Sequence, residues 1–254
     1  ILVHYKEVVM DSFPLERPYI TITNVIWSFD YDTQQVKVLL IKRADEPFKN
    51  FWALPEILLR EDESAHEASL RLIKEKIGLS LSDVHAEQLA TFTAPDRNPD
   101  FRALSLSYMI FLPKYVNLVP GSGAIEAEWF TLEKIKNNYF GLKKGDLFFK
   151  TLAENEYVTE LDSQKRLAFD HNWILTVACH RIVNKLNYQP TILLTLGSSF
   201  TLKTARHVYG IFGQDEPDNS NFLQNNKKIF ELVGEVDKKG PGMTAKKFRL
   251  LISF

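Results

Sequence analysis

A chain of 254 residues, 45% hydrophobic and 25% charged, is long enough to bury one large core or two ordinary ones and has the composition of a globular protein, which excludes a disordered or fibrous chain. The formal net charge of −1 conceals an asymmetry, because residues 1–164 carry 18 Lys or Arg against 25 Asp or Glu while residues 165–254 carry 13 against 7; the basic rear is a candidate for nucleic acid, or else only a basic surface. Cys179 alone excludes an internal disulfide, and the absence of a long apolar run or a signal-like start predicts a cytoplasmic protein with no membrane partner.

Taken in chain order, Tyr19 to Phe29 and Gln35 to Ile41 are rich in β-branched and aromatic residues and flank a turn at Asp30, Asp32 and Thr33, which predicts a hairpin. Ser64 to Ile77 reads as a helix, with Ser64 as N-cap, Glu67 completing a capping box and Gly78 as terminator. Gln88 to Phe92, Ala103 to Phe111 and Glu126 to Phe130 read as further strands. Lys134 to Gln164 reads as a polar connection. Beyond it the period turns helical: a long helix over Leu167 to Leu186, then shorter ones over Phe200 to Phe212 and Asn219 to Phe230, divided by the breakers Gly213, Pro217 and Asp218. The end of the chain alternates as two strands about a Gly-Pro-Gly turn, and three helices followed by a hairpin is the order of a winged helix.

The stretch from Phe51 to Ser80 carries the chemistry. Behind "FWALP", the residues Glu63, Arg71, Ile73, Glu75, Gly78 and Leu79 resemble the Nudix box, in which a glycine, a glutamate and an Arg-Glu-x-x-Glu-Glu-x-Gly helix build a metal site for diphosphate hydrolysis. The resemblance runs from about Pro18 to Ile135 and implies an α/β/α sandwich. Three departures matter. Glu56 and Ile57 stand where the family has Gly-Gly, Leu72 replaces the Glu of Arg-Glu, and Lys76 replaces the last Glu. Positions 72, 75 and 76 share one helix face. Hard divalent ions need oxygen ligands, so a leucine and a lysine there oppose Mg²⁺ binding, and little or no turnover is expected. Mg²⁺ is expected only if hydrolysis is retained, for instance through carboxylates such as Glu56 or Glu61. The box remnants Glu63, Arg71 and Glu75 are then relics rather than catalysts.

A pocket need not vanish with its chemistry. Arg43, Trp52, Arg97 and Arg102 are candidates to bind a nucleotide, since guanidinium groups fork onto phosphate and indole faces stack on bases; Arg97 and Arg102 lie in the loop "PDRNPDFR".

That loop, with "LAFDHNWIL", "FTLKTARHVYGIFG" and "NSNFLQNNKKIF", is similar to the Nudix-related transcriptional regulators of NAD metabolism. The resemblance implies a sensor of ADP-ribose or a related nucleotide over residues 1–155, a winged-helix domain over 156–254 that binds double-stranded operator DNA, and a homodimer. The residues of the tail agree with it. Asn221, Gln224 and Asn225 are candidate readers of base edges, and Lys227 and Lys228 candidate phosphate contacts. Lys203 and Arg206 on the preceding helix, and Lys238, Lys239, Lys246 and Lys247 flanking the hairpin turn, add further candidates. Leu223 and Gln224 stand where that group often has arginines, which leaves the bases read undefined. Asp170 and His171 read as packing rather than catalysis. The other histidines show no metal-ligand spacing and none belongs to a nucleophile motif. Two alternatives remain: an active ADP-ribose-class pyrophosphatase whose basic tail only dimerises, and an inactive nucleotide-binding protein without DNA.

Overall fold

The computed structural model describes residues 17–78, 84–113, 115–136, 139–152, 165–213, 216–236 and 244–251. A mixed sheet forms its centre. Strands β1 (Tyr19–Asp30) and β2 (Gln35–Arg43) make the expected hairpin, with Trp27 opposite Val38. The short β3 (Trp52–Ala53) pairs with β2 and β4 (Glu56–Leu58) with β1. Adding β5 (His85–Phe92), β6 (Ala103–Phe111), β7 (Ala124–Lys136), β8 (Tyr139–Lys144) and β9 (Leu147–Lys150) gives the order β5-β6-β1-β2-β7-β8-β9, in which β1 and β6 run parallel. The region over 134–164 is therefore not a mere polar connection: β8 and β9 lie within it, and Phe140, Leu142 and Phe149 from them are fully buried.

Strand parity sets the two faces of this sheet. Ile22 and Ile26 of β1 face α1 (Ala65–Ile77), where Ala68, Leu72, Ile73 and Ile77 complete one core. Val25, Trp27 and Phe29 face the other way, but Thr21 and Thr23 on that same parity carry hydroxyls that require polar partners. The cap of α1 forms as the sequence predicts. Ser64 Oγ accepts from the Glu67 amide at 3.2 Å, a Glu67 carboxylate oxygen accepts from the Ser64 amide at 2.8 Å, and Gly78 closes the helix at φ 70°.

The second face is covered by the tail. Helix α2 (His171–Lys185) and α3 (Leu202–Phe212) lay Ile174, Leu175, Ala178, Ala205, Val208 and Phe212 on the sheet, with Phe212 edge-on to Trp27 at 6.1 Å. Apolar packing is thus continuous across the expected boundary at 155/156. Helix α2 starts later than its apolar period suggests, because Phe169 turns the chain at φ 54° and the Leu167 amide donates to the Asn172 side chain instead. A 3-10 helix, Thr191–Leu196, leads to β10 (Phe200–Thr201). Helix α4 (Asn219–Asn226) is shorter than expected, since Lys227, Lys228 and Ile229 form a turn into β11 (Phe230–Glu235). With β12 (Lys246–Leu250) these strands form a sheet of order β10-β12-β11, the helix-and-hairpin order of a winged helix. The turn between β11 and β12 lies outside the described residues. No helix is long and apolar enough to cross a membrane among the described residues.

Candidate functional site

The face of α1 that carries the box is occupied by side chains that bind one another. Arg71 donates through Nε and Nη2 to the two oxygens of Glu63, at 2.7 and 2.5 Å, and through Nη1 to Glu75 Oε2 at 3.0 Å. Arg60 takes the other oxygen of Glu75, Oε1, at 3.0 Å. The Arg71 hydrogen bonds hold the Glu63 carboxyl down to about 2, against a smaller effect of burial. Leu72 is fully buried in the core under α1. Lys76 donates to the Ser122 carbonyl at 2.5 Å, and burial, with the Arg43 charge adding to it, lowers the pKa of its ammonium. A hard cation would find there one apolar chain, one carboxylate with both oxygens taken by guanidinium groups, and one positive charge. This donor set does not fit Mg²⁺. Among the described residues no three His, Cys, Asp or Glu side chains gather as a metal site, and Glu61 is exposed on a turn.

Glu56 belongs to a second, buried network. Arg97 donates from Nη2 to Glu56 at 3.2 Å, and from Nε and Nη2 to the two oxygens of Asp170 at 3.1 and 3.0 Å. Its side chain is 0% exposed, against 11% for Glu56 and 5% for Asp170. The hydroxyls of Thr21 and Thr23 also donate to Glu56. Burial raises the Glu56 pKa, but the His171 imidazole, the Arg97 charge and the Thr23 hydrogen bond outweigh it and hold the carboxyl well below its ordinary range. His171 Nδ1 accepts from the Leu54 amide at 3.0 Å, so that nitrogen carries no proton and Nε2, which faces Glu56 at 3.7 Å, carries it. Through this node the box lead-in, the loop over 94–102 and the first turn of α2 are tied together. A pocket of about 200 Å³ opens beside it, lined by Phe48, Asp96, Arg97, Phe169, Asp170 and Trp173 among others.

The four nucleotide candidates do not converge as free ligand groups. Trp52 is buried in the core, edge-on to Phe130 at 4.9 Å, because β3 pairs it inward on the sheet, so it is a core tryptophan. The guanidinium of Arg97 is spent on Glu56 and Asp170. Arg102 donates to the carbonyls of Thr93, Ala94 and Ala103 and so staples its own loop. Arg43 lies over the Phe169 ring at 4.8 Å, beside the pocket. The sequence reading missed Glu56 and Asp170 as partners of Arg97; only the acidic-basic pair at 170 and 171 hinted at it.

On the tail, Asn221, Gln224 and Asn225 are exposed and, at i, i+3 and i+4, share one face of α4, while Phe222 is buried behind them. Lys227 and Lys228 are exposed on the turn after α4 rather than on the helix. Lys246 is exposed and Lys247 half-buried on β12, and Lys203 is exposed on α3. Arg206 differs from expectation: its Nε donates to the Pro217 carbonyl at 2.7 Å and its Nη2 pairs with Glu216 at 3.1 Å, closing the loop between α3 and α4. Lys238 and Lys239 lie outside the described residues.

Comparison with known proteins gives relatives of two kinds. A repressor of Acinetobacter baylyi described as "ADPR responsive transcriptional repressor NtrR" is 27% identical over 198 residues, 76% of this chain and 66% of its own length. An "ADP-ribose pyrophosphatase" of Methanocaldococcus jannaschii is 36% identical over 121 residues, 43% of this chain and 69% of its own length. The chain thus spans about two thirds of these curated relatives. Among solved structures, a MutT/nudix family protein from Enterococcus faecalis superposes with a TM-score of 0.82 at 31% identity, covering 98% of this chain and 92% of that one. Shewanella oneidensis NrtR complexed with a 27mer DNA shares the fold at a TM-score of 0.65 and 21% identity, covering 91% of this chain and 93% of its own. The model of the NUDIX domain matches residues 22–149, half of the chain, and with it the capped box helix finds its explanation: this protein belongs to the Nudix family.

Proposed function

We propose that the protein is a transcription regulator whose front binds ADP-ribose or a related NAD-derived nucleotide without hydrolysing it, and whose tail, acting as a winged helix in a homodimer, binds operator DNA according to that ligand. The observation that carries the reading is the face of α1, where Leu72 is core, Glu75 is held by Arg60 and Arg71, and Lys76 puts a positive charge at the third position. Without a metal that face has no activated water to direct at a diphosphate. The 27% identical repressor, named as responsive to ADPR, supports both the ligand and the output.

The tail supplies suitable DNA chemistry. The three amides of α4 match the donor and acceptor edges of adenine, and Lys203, Lys227, Lys228, Lys246 and Lys247 match phosphates on either side. Coupling would run through Arg97, which joins the loop over 94–102 to Asp170 at the start of α2. A ligand in the adjoining pocket touches that junction, and α2 and α3 pack on the same sheet. The test is a mobility shift with DNA from upstream of the gene and its neighbours, titrated with ADP-ribose at two salt concentrations. A discrete complex whose affinity changes with ADP-ribose is expected; ADP-ribose binding that leaves DNA affinity untouched refutes the coupling.

The second reading, a metal-dependent pyrophosphatase whose tail only dimerises, is favoured by the 36% identical relative. It predicts release of AMP from ADP-ribose in Mg²⁺. Turnover above a heat-inactivated control would overturn the reading preferred here.

A further inference from the structure

Most of the buried or clamped cations of the front have a carboxylate: Arg60 before α1, Arg71 on it, Arg97 in its loop, and Lys37 against Asp30. Arg43 and Lys76 are different. Both are half-buried, and among the described residues neither has a carboxylate within ion-pair distance. Arg43 spends two of its donors on the carbonyls of Pro47 and Asp45, at 2.9 and 3.3 Å, and lies on the Phe169 ring. Lys76 spends one on Ser122. Burial lowers the pKa of each, and it outweighs the opposing effect of the carboxylates farther off, Glu56 and Asp45 for both, with Glu46 for Arg43 and Glu75 for Lys76.

The local backbone is built to bring these cations together. Gly121 donates its amide to the Lys76 carbonyl at 2.9 Å, and a Cβ on it would fall 2.0 Å from the Glu75 carbonyl oxygen, so only glycine lets the loop lie on the end of α1. Two residues on, Gly123 accepts from the Ala44 amide next to Arg43 and would place a Cβ 3.1 Å from Lys76 Nζ. The glycine loop thus joins the end of β2 to the end of α1 and holds the Lys76 ammonium beside the Arg43 turn. Asp45 Oδ2 lies 3.6 Å from that same Cβ position and belongs to an exposed residue.

We propose that Lys76, with Arg43, takes the place of the divalent cation of the family and binds the ligand's diphosphate directly, which makes ligand binding independent of metal. This rests on the reading of the ligand as a nucleotide diphosphate. Two fixed positive charges with unspent N–H donors match the charge and acceptor oxygens of a diphosphate, as a metal ion would, but offer no water to activate. The site therefore binds what it does not cleave.

Calorimetric titration of the full chain tests it, with ADP-ribose and separately with inorganic pyrophosphate, in EDTA and in Mg²⁺. Expected are ADP-ribose affinities within twofold in the two buffers, a loss of at least tenfold for both ligands in Lys76→Met, and retention within about threefold in Lys76→Arg, with thermal melts confirming that the variants fold. A tenfold loss in EDTA, or Lys76→Met binding as the parent does, overturns the proposal while leaving an ADP-ribose sensor intact. Failure of the parent to bind ADP-ribose in either buffer sinks the nucleotide reading instead; the anion site is then judged on pyrophosphate alone, supported by binding that Lys76→Met loses and overturned otherwise.

Discussion

Arg97→Met is the perturbation with the largest consequence for the fold. The methionine keeps much of the volume but removes the charge that joins Glu56 to Asp170. Asp170 loses both of its guanidinium contacts, at 3.1 and 3.0 Å, while Glu56 keeps Thr23 at 2.6 Å and His171 Nε2 at 3.7 Å. Two almost unexposed carboxylates are then left without a cation. Removing one member of a buried ion pair costs about 3–5 kcal/mol. For a chain of this size each kcal/mol moves the melting temperature by roughly 2–4 °C, so a drop of about 6–20 °C is expected at pH 7.

The pH dependence discriminates between this account and a packing defect. In the parent the folded Glu56 carboxyl titrates well below its ordinary 4.5, so its contribution is present above that value and is lost as pH falls toward the folded pKa. In the variant the loss of the Arg97 charge moves the folded Glu56 pKa upward, so acid costs the variant less stability than it costs the parent. The gap in melting temperature between parent and variant should narrow from pH 7 to pH 3 in differential scanning calorimetry. A drop under 2 °C at pH 7, or a gap that does not change with pH, would refute the buried-network argument.

Three further outcomes follow from particular contacts. Ser64→Ala removes the hydroxyl half of the capping box and should cost on the order of 1 kcal/mol in urea unfolding, with the slope unchanged. Gly121→Ala forces a methyl group onto the Glu75 carbonyl oxygen and should cost about 1–3 kcal/mol, readable as a lowered melting temperature, whereas Gly145→Ala meets no neighbouring atom and suffers only its left-handed φ of 54°. On operator DNA, Asn225→Ala should cost about 1–3 kcal/mol and relax the preference at one base pair, while Lys246→Ala should weaken all sequences alike and reduce the salt slope; equal behaviour of the two in mobility shifts would remove α4 as the reading helix.

The parts of this structure that depend on neighbours in sequence were legible, and those that depend on distant neighbours were not. The hairpin of β1 and β2 and the capped helix α1 are encoded by alternation, turn residues and a four-residue cap, all local. Strands β8 and β9 escaped because their exposed faces carry lysines and only Phe140, Leu142 and Phe149 face inward, too few to form a pattern. Trp52 and Arg97 carried the right chemistry for a pocket, but their burial is decided by β3 joining β2 and by carboxylates 41 and 73 residues from Arg97. Arg206 looked like a phosphate contact for the same reason; its partners Glu216 and Pro217 come from a loop whose path a helical period does not specify. The placing of Leu72, Glu75 and Lys76 on one helix face, by contrast, was readable because it is a local relation.

The tail is not attached to the front by a linker alone, and this constrains any account of how the two communicate. Phe212 of α3 packs on Trp27 and Phe140 of the sheet, Tyr31 of the first hairpin donates to the Leu196 carbonyl, and His207 of α3 meets the Gln34 carbonyl at 2.7 Å. Lys134 of β7 reaches the carbonyls at the end of α3 as well. A close-packed interface of this kind yields by discrete repacking rather than by smooth bending. The segment over Leu167 to Asp170 is the place where small change has most leverage: it enters α2 through Phe169 at positive φ, lines the pocket, and is fastened to the front by the Ala168 amide on Trp52 and by Asp170 on Arg97. On the function proposed above, a ligand acts on the tail by altering those two fastenings, and so the seating of α2 and, through α3, the direction in which α4 and the β11–β12 hairpin project; one that leaves them unaltered has no route to the tail through this junction.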